Sequence, residues 1–229
     1  MRNRFVMTKR SGVEEKLLVT EIFLSIQGES TWMGCPCTFI RLTGCPLRCI
    51  YCDTAYAFSG GTKLTISEII ETVENFGCRL VEVTGGEPLA QKGTVHLLEE
   101  LVERQYTVLL ETSGALAVKD VPPQVHKIMD IKTPTSGESE NNKWENLDFL
   151  SPHDEIKFVI GDRSDYDWAK NICSQYALTS KVKAVLFSPV FGRLNPQTLV
   201  SWLLEDRLFE IRFQLQLHKY IWHPDTRGV

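Results

Sequence analysis

Short apolar runs alternate with amphipathic stretches along most of this chain, and the two periods predict its elements. Seven runs rich in Val, Ile, Leu or Phe read as buried strands, at residues 38–42, 80–84, 107–111, 127–131, 155–160, 183–187 and 211–215. Helices fall between several of them. Thr65 and Glu68 form a capping box, Ile66, Ile69, Ile70 and Val73 recur on one face, and Gly77 stands where the last turn ends. Asn195 and Pro196 open a second helix, with Leu199, Val200, Leu203 and Leu204 predicted to face inward. Leu97, Leu98, Leu101 and Val102 mark another, and Trp168 and Ile172 a fourth.

Strand followed by helix, repeated, implies parallel strands joined by right-handed crossovers, hence an α/β fold with an open sheet or barrel-like wrap. The alternation fails after Glu111 and again after Ile131, where the polar run 133–146 replaces a helix. That run is expected to be a mobile surface segment or lid. Residues 1–18 carry weak pattern and are expected to form a partly disordered extension ahead of a single domain, 19–229.

With 229 residues the chain can bury one sizeable core. Its net charge of -4 gives no general attraction to nucleic acid or anionic lipid. No apolar run approaches membrane length, and Met1 to Val6 lack the apolar stretch of a signal peptide, so the expected setting is the cytoplasm. Seven cysteines, an odd number with three crowded into eight residues, argue against a secreted disulfide framework.

Those three, Cys45, Cys49 and Cys52, are spaced C-x3-C-x2-C. Three thiolates can hold three irons of a [4Fe–4S] cluster and leave the fourth open to a small ligand. A structural zinc site is an alternative, but it needs a fourth ligand, and Cys35 or Cys37 would have to supply it from an uncommon spacing. Reduced, incidental thiols are the third reading. In folds of this class ligands gather at the carboxyl ends of strands. Polar or glycine-containing turns follow five predicted strands: Gly44–Thr54, Thr84-Gly85-Gly86-Glu87-Pro88, Glu111-Thr112-Ser113-Gly114, Lys132, and Ser188-Pro189-Val190-Phe191. Any one of them reads as an ordinary turn; their convergence on one rim points to a site.

The cysteine loop with Tyr51 before its last cysteine, followed by Gly85-Gly86-Glu87-Pro88 after the next strand, resembles the radical S-adenosylmethionine enzymes. Ser25-Ile26-Gln27-Gly28-Glu29-Ser30, Phe39 to Cys45, Cys52-Asp53-Thr54 and His218-Lys219-Tyr220 are similar to the 7-carboxy-7-deazaguanine synthase branch of queuosine biosynthesis, over nearly the whole chain from Val19. The resemblance implies a partial barrel of about six parallel strands with a reduced set of helices. It also implies conversion of 6-carboxy-5,6,7,8-tetrahydropterin to 7-carboxy-7-deazaguanine with loss of ammonia, started by a radical made from S-adenosylmethionine.

By that resemblance Cys45, Cys49 and Cys52 hold the cluster, and Thr54 offers a hydroxyl to Mg2+, although a threonine there could instead cap a helix. Tyr51, Cys52, Asp53, Gly86, Asp130, Ile131 and Lys132, with Ser188, Pro189, Val190 and Phe191, are expected at S-adenosylmethionine. Glu111 and Ser113 are further expected contacts. Ile26, Gln27, Gly28, Glu29, Thr84 and His218 are expected at the pterin. Arg41 lies in an otherwise apolar strand, where an unpaired guanidinium is costly. It reads either as a partner of Glu29 or as a two-point clamp on the substrate carboxylate. Cys35, Cys37, Cys78 and Cys173 read as small apolar residues.

Many members of this branch end soon after the His-Lys-Tyr motif, with the terminal carboxylate on the pterin. Here Trp222 to Val229 continue, and Val229 is expected to make that contact only if the chain reaches back. A flavodoxin or ferredoxin is the expected electron donor, and a homodimer the expected assembly. An activase that abstracts hydrogen from a partner protein's glycine, and a non-enzymatic iron–sulfur or zinc module, are the alternative readings.

Overall fold

The computed structural model describes residues 15–229. Most of the expected 1–18 extension lies outside the described residues, but its last three residues already belong to a strand. Nine strands form one open sheet: β1 (Lys16–Ile26), β2 (Pro36–Leu42), β3 (Thr62–Thr65), β4 (Leu80–Gly85), β5 (Thr107–Thr112), β6 (His126–Ile131), β7 (Glu155–Ile160), β8 (Ala184–Pro189) and β9 (Ile211–Phe213). Their spatial order is β3-β1-β2-β4-β5-β6-β7-β8-β9. From β2 onward every neighbouring pair is parallel, whereas β1 runs antiparallel to both β2 and β3. The parallel wrap has seven strands, in keeping with the expected open wrap of about six, and β1 and β3 extend one edge.

The helices are α1 (Ile66–Phe76), α2 (Thr94–Glu103), α3 (Arg163–Gln175), α4 (Leu178–Lys181), α5 (Pro196–Glu205) and α6 (His218–Ile221). Helix α1 starts at the expected capping box, with Thr65 accepting from the Glu68 amide and Glu68 reaching back, and ends at Gly77 in the left-handed conformation at φ 68°. In α5, Leu199 and Leu203 are buried as expected, but Leu204 is exposed. Trp202 takes its place against the core.

Alternation along the strands separates two faces. One packs against the helices in two apolar clusters, around Ile40, Val83 and Leu98 and around Phe158, Phe187 and Tyr166. The other lines the inside of the wrap. Its lower layer is apolar, with Cys37, Phe39, Leu80, Leu109 and Ile128. Towards the strands' carboxyl ends it becomes polar, with Arg41, Glu82, Thr84, Glu111, Asp130 and Lys157.

The segment 133–146 is not a mobile lid. It forms short 3-10 turns at Pro134–Ser136, Ser139–Asn141 and Trp144–Phe149, and Thr133, Ser136 and Asn146 are buried. Asp165 on α3 accepts from the Thr135 amide at 2.9 Å, and Asn146 donates to the carbonyls of Gly114 and Leu116 at 2.9 and 2.8 Å. Local side-chain-to-backbone bonds replace the helix that the polarity pattern leaves out.

Candidate active site

The cysteine loop leaves β2 at the rim. Backbone bonds fix it: the Gly44 amide donates to Ala57 O at 2.8 Å, the Ile50 amide to Ser136 O at 2.9 Å, and the Glu87 amide back to Gly44 O at 2.8 Å. Gly86 is the close approach. A Cβ there would stand 2.3 Å from Gly44 O and 2.9 Å from Cys45 Cβ, so only glycine lets the second strand end press against the loop.

Glu87 is fully buried and welds this turn to the next strand end. Its carboxylate accepts from Thr112 Oγ1 at 2.9 Å, from the Ser113 amide at 2.8 Å and from the Leu89 amide at 3.1 Å. Ser113 Oγ donates to it as well, at 2.5 Å, which commits the hydroxyl of a residue expected at the cofactor.

Cys45, Cys49 and Cys52 are free and partly exposed on this loop. Burial pushes all three thiols up, Cys49 to about 11. Ligation of iron would therefore release protons from them. Among the described residues no group of three His, Cys, Asp or Glu is placed to hold one metal ion. The residues fit a cluster through other features: three unpaired thiols on one anchored loop, and the Gly86 cradle behind Cys45. Cys35, outside this loop, is exposed, whereas Cys37 and Cys173 are buried.

Two strand ends on either side of β7, those of β6 and β8, carry buried polar atoms with no partner among the described residues, Asp130 Oδ1 and Ser188 Oγ. Such atoms are costly to leave unsatisfied, and a polar ligand at the rim would satisfy them. Lys132 reaches Asp130 Oδ2 at 2.9 Å, and Ile131 is buried beside it. Burial opposes the Lys132 ammonium, but Asp130 outweighs it and raises the pKa. Tyr51 donates to Val159 O at 3.3 Å, and burial raises its phenol to about 12. On the far side Pro189 and Val190 are buried, and Phe191 meets Tyr220 edge-on with ring centroids 5.8 Å apart.

Inside the wrap, Lys157 ties three strands together. Its ammonium lies 2.9 Å from Glu29 Oε2 and 3.6 Å from Asp130 Oδ2, and it also contacts Glu111. Burial works against the charge, but Glu111, Glu29 and Asp130 outweigh it and hold the pKa well above the usual lysine value. For Glu29 burial likewise opposes ionisation, and Lys157 and His218 overcome it. Gln214 and Gln216 donate to Glu29 at 3.1 and 3.0 Å, and Gln216 continues to Asp53 at 3.2 Å. A polar chain thus runs from the lumen to the cysteine loop.

Gln27 is buried with its amide fully oriented. Its Oε1 accepts from the Glu29 amide at 2.9 Å, and its Nε2 donates to Glu82. Thr84 Oγ1 donates to Glu111 at 3.3 Å. Gly28 makes room for His218: a Cβ there would come within 2.2 Å of the ring, and the Leu217 amide donates to Gly28 O at 2.9 Å. Burial depresses the His218 pKa, with Glu29 offsetting part of the effect. The loop after Ile26 and the segment after β9 meet here, across the gap of the open sheet.

Arg41 does not pair with Glu29. Its Nε lies 2.7 Å from Glu21 Oε1 on β1, and Tyr56 donates to the same oxygen at 2.8 Å. The Arg227 guanidinium stacks over the Tyr56 ring at 4.1 Å from the centroid, so the chain does turn back toward Arg41 near its end. Thr54 Oγ1 donates to Asp53 Oδ1 at 2.9 Å and makes no cap bond to the turn Ala55–Phe58, which removes the capping reading. Asp53 is itself held by Lys219, whose charge overcomes burial and keeps the carboxyl well below the usual range.

Sequence reasoning missed Glu21, Glu82, Lys157, Gln214 and Gln216. For Glu82 and Lys157 a signal was present, a charge within an apolar strand run; the glutamines carry none.

The family model of the radical SAM superfamily matches residues 39–201. A 7-carboxy-7-deazaguanine synthase of Koribacter versatilis is 48% identical over 225 residues, covering 92% of this chain and 99% of the relative. One of Chlorobaculum tepidum is 50% identical over 219 residues, covering 94% and 99%. The crystal structure of QueE from Escherichia coli shares the fold with a TM-score of 0.73 at 21% identity, over 89% of this chain and 95% of that one. With a three-cysteine loop anchored on the rim of an open parallel wrap, and with relatives this similar over nearly its full length, the chain belongs to the radical SAM superfamily and, within it, to the 7-carboxy-7-deazaguanine synthase family.

Proposed function

We propose that the polar lumen beneath the cysteine loop is the seat of a carboxylated pterin, and that the protein converts 6-carboxy-5,6,7,8-tetrahydropterin to 7-carboxy-7-deazaguanine with loss of ammonia. The observation that carries the reading is the linked set Gln27, Glu29 and Lys157, joined through Gln216 to Asp53 on the loop. Cys45, Cys49 and Cys52 would hold the [4Fe–4S] cluster, which with S-adenosylmethionine supplies the radical chemistry.

This chain's own residues place and enclose the reactants. Gln27 and Glu29, with backbone at Ile26 and Gly28, present donors and acceptors to the pterin edge, and His218, its pKa depressed by burial, closes over Gly28. Asp130 and Ser188 offer unsatisfied oxygens to S-adenosylmethionine, beside Tyr51, Gly86 and Lys132. Glu111 and the Pro189–Phe191 turn flank them. Thr54 offers its hydroxyl, with the substrate's oxygens, to Mg2+.

Arg41 is the substrate clamp. Glu21 takes its Nε, and burial has been overcome by Tyr56 and Glu21, which raise its pKa and keep it charged. Its remaining guanidinium donors can meet a carboxylate, and we assign Val229 to the pterin as well, on the tail that brings Arg227 over Tyr56. A glycyl-radical activase needs room for a polypeptide; the segment 214–221 across the gap favours a small molecule. The reaction also needs a reductant, for which we propose a flavodoxin or ferredoxin, in the cytoplasm, with the enzyme working as a homodimer. Among the described residues no helix is long and apolar enough to cross a membrane.

The clamp gives the test. Arg41→Lys cannot reproduce the planar fork, and substrate binding to anaerobic protein carrying cluster and S-adenosylmethionine should weaken by about 2 kcal/mol or more. Equal affinity in the variant would remove Arg41 from the site.

A further inference from the structure

We propose that Glu82 is a positioning residue for pterin recognition, anchoring the Gln27 amide in the orientation it presents to the substrate. The assignment rests on the functional reading above. Glu82 sits in the middle of β4, opposite Phe39 on β2 and Leu109 on β5, and is only 3% exposed. Its one side-chain hydrogen bond among the described residues comes from Gln27 Nε2. A primary amide can flip end for end, exchanging a donor for an acceptor at the site it faces. Here the Glu29 amide demands the oxygen at one end, and Glu82 accepts from the nitrogen at the other. The flipped amide would set N–H against N–H at Glu29 and lose the bond that Glu82 now accepts.

The surroundings disfavour a charge on this carboxyl. From β5 it faces Glu111, from the loop after β1 it faces Glu29, and the cations within reach are Lys157 on β7 and Arg41 on β2. Lys157 is already shared by Glu29, Glu111 and Asp130, and Arg41 is bonded to Glu21. A further buried negative charge would have no cation of its own. Burial and then Glu111 accordingly push the Glu82 carboxyl well up. A glutamine of the same shape can still accept from Gln27 through its oxygen, whereas an apolar side chain of similar size cannot.

The test is a coupling cycle on the anaerobic holoenzyme, with S-adenosylmethionine present and the carboxylated pterin as probe. Glu82→Leu, with Glu82→Met as a second isostere against loss of folding, should raise the substrate Kd about tenfold, the effect of one lost buried hydrogen bond. Iron content and cofactor cleavage without substrate should be retained. Glu82→Gln should restore affinity to within about threefold of the parent. If Glu82 acts through Gln27, adding Glu82→Leu to Gln27→Ala should cost no more than Gln27→Ala alone. Parental affinity in both isosteres, full additivity in the double variant, or a Glu82→Gln as poor as Glu82→Leu would each overturn the assignment. A parent that binds no pterin at all would overturn the functional reading and this assignment with it, a result distinct from the others.

Discussion

A charge inside an apolar strand is the residue-scale signal that this chain repeats. It singles out Arg41, and the same signal stands at Glu82 in Leu-Val-Glu-Val-Thr-Gly and at Lys157 in Glu-Ile-Lys-Phe-Val-Ile. Partners are another matter, because they are set by register and loop placement: Arg41 pairs across β1 with Glu21, while Glu29 is carried by its loop to Lys157. Lys157→Met should destabilise the protein by about 3–5 kcal/mol near neutral pH, since it strips the cation from buried carboxylates. The pH dependence follows from the signs. The raised pKa of Lys157 contributes stability that is fully present below about pH 10.4, and it is lost as pH rises through the higher folded value. The lowered pKa of Glu29 contributes stability present above about pH 4.3, and it is lost as pH falls through the folded value. Unfolding of the variant followed against pH should show the alkaline loss flattened and the Glu29 part of the acid loss reduced. A parental profile at lower overall stability would contradict the pairing.

At the scale of elements, the parallel strands and α1 were legible because burial on both faces leaves continuous apolar runs and because capping chemistry is local. Strand β1 was not. Its sequence Lys-Leu-Leu-Val-Thr-Glu-Ile-Phe-Leu-Ser-Ile mixes polar and apolar positions without a clean period, and most of its residues are only half-buried beside two antiparallel partners. The 133–146 segment was misread for a different reason: polar side chains that satisfy backbone groups look the same in sequence as polar side chains in water. The contact between the cysteine loop and the turn after β4 gives the element-scale prediction. Gly86→Ala would drive a Cβ into Gly44 O, and the loop must shift. Anaerobically reconstituted Gly86→Ala should bind less iron and cleave S-adenosylmethionine poorly while its helices, followed by circular dichroism, stay intact. Full iron loading with normal cleavage would show that the approach is not needed.

For the whole molecule, the sheet stays open, with β3 and β9 at its two edges, and the chain closes its own gap by bringing the segment after β9 onto Gly28 and the Arg227 guanidinium onto Tyr56. Position along the sequence cannot reveal that closure, since it joins residues nearly two hundred positions apart. A tag fused after Val229 should therefore raise the substrate concentration required for turnover, with cofactor cleavage unaffected; an unchanged requirement would take the chain end out of the site. The central claim is that the cysteine loop and the polar lumen serve one reaction, and product analysis tests it most directly. Anaerobically reconstituted protein is given S-adenosylmethionine, Mg2+, a reductant and 6-carboxy-5,6,7,8-tetrahydropterin, and the products are weighed by mass spectrometry beside Cys45→Ala, Cys49→Ala and Cys52→Ala. The account predicts 7-carboxy-7-deazaguanine and released ammonia from the parent and neither from any cysteine variant. Cofactor cleavage by the parent with the pterin recovered unchanged would contradict it.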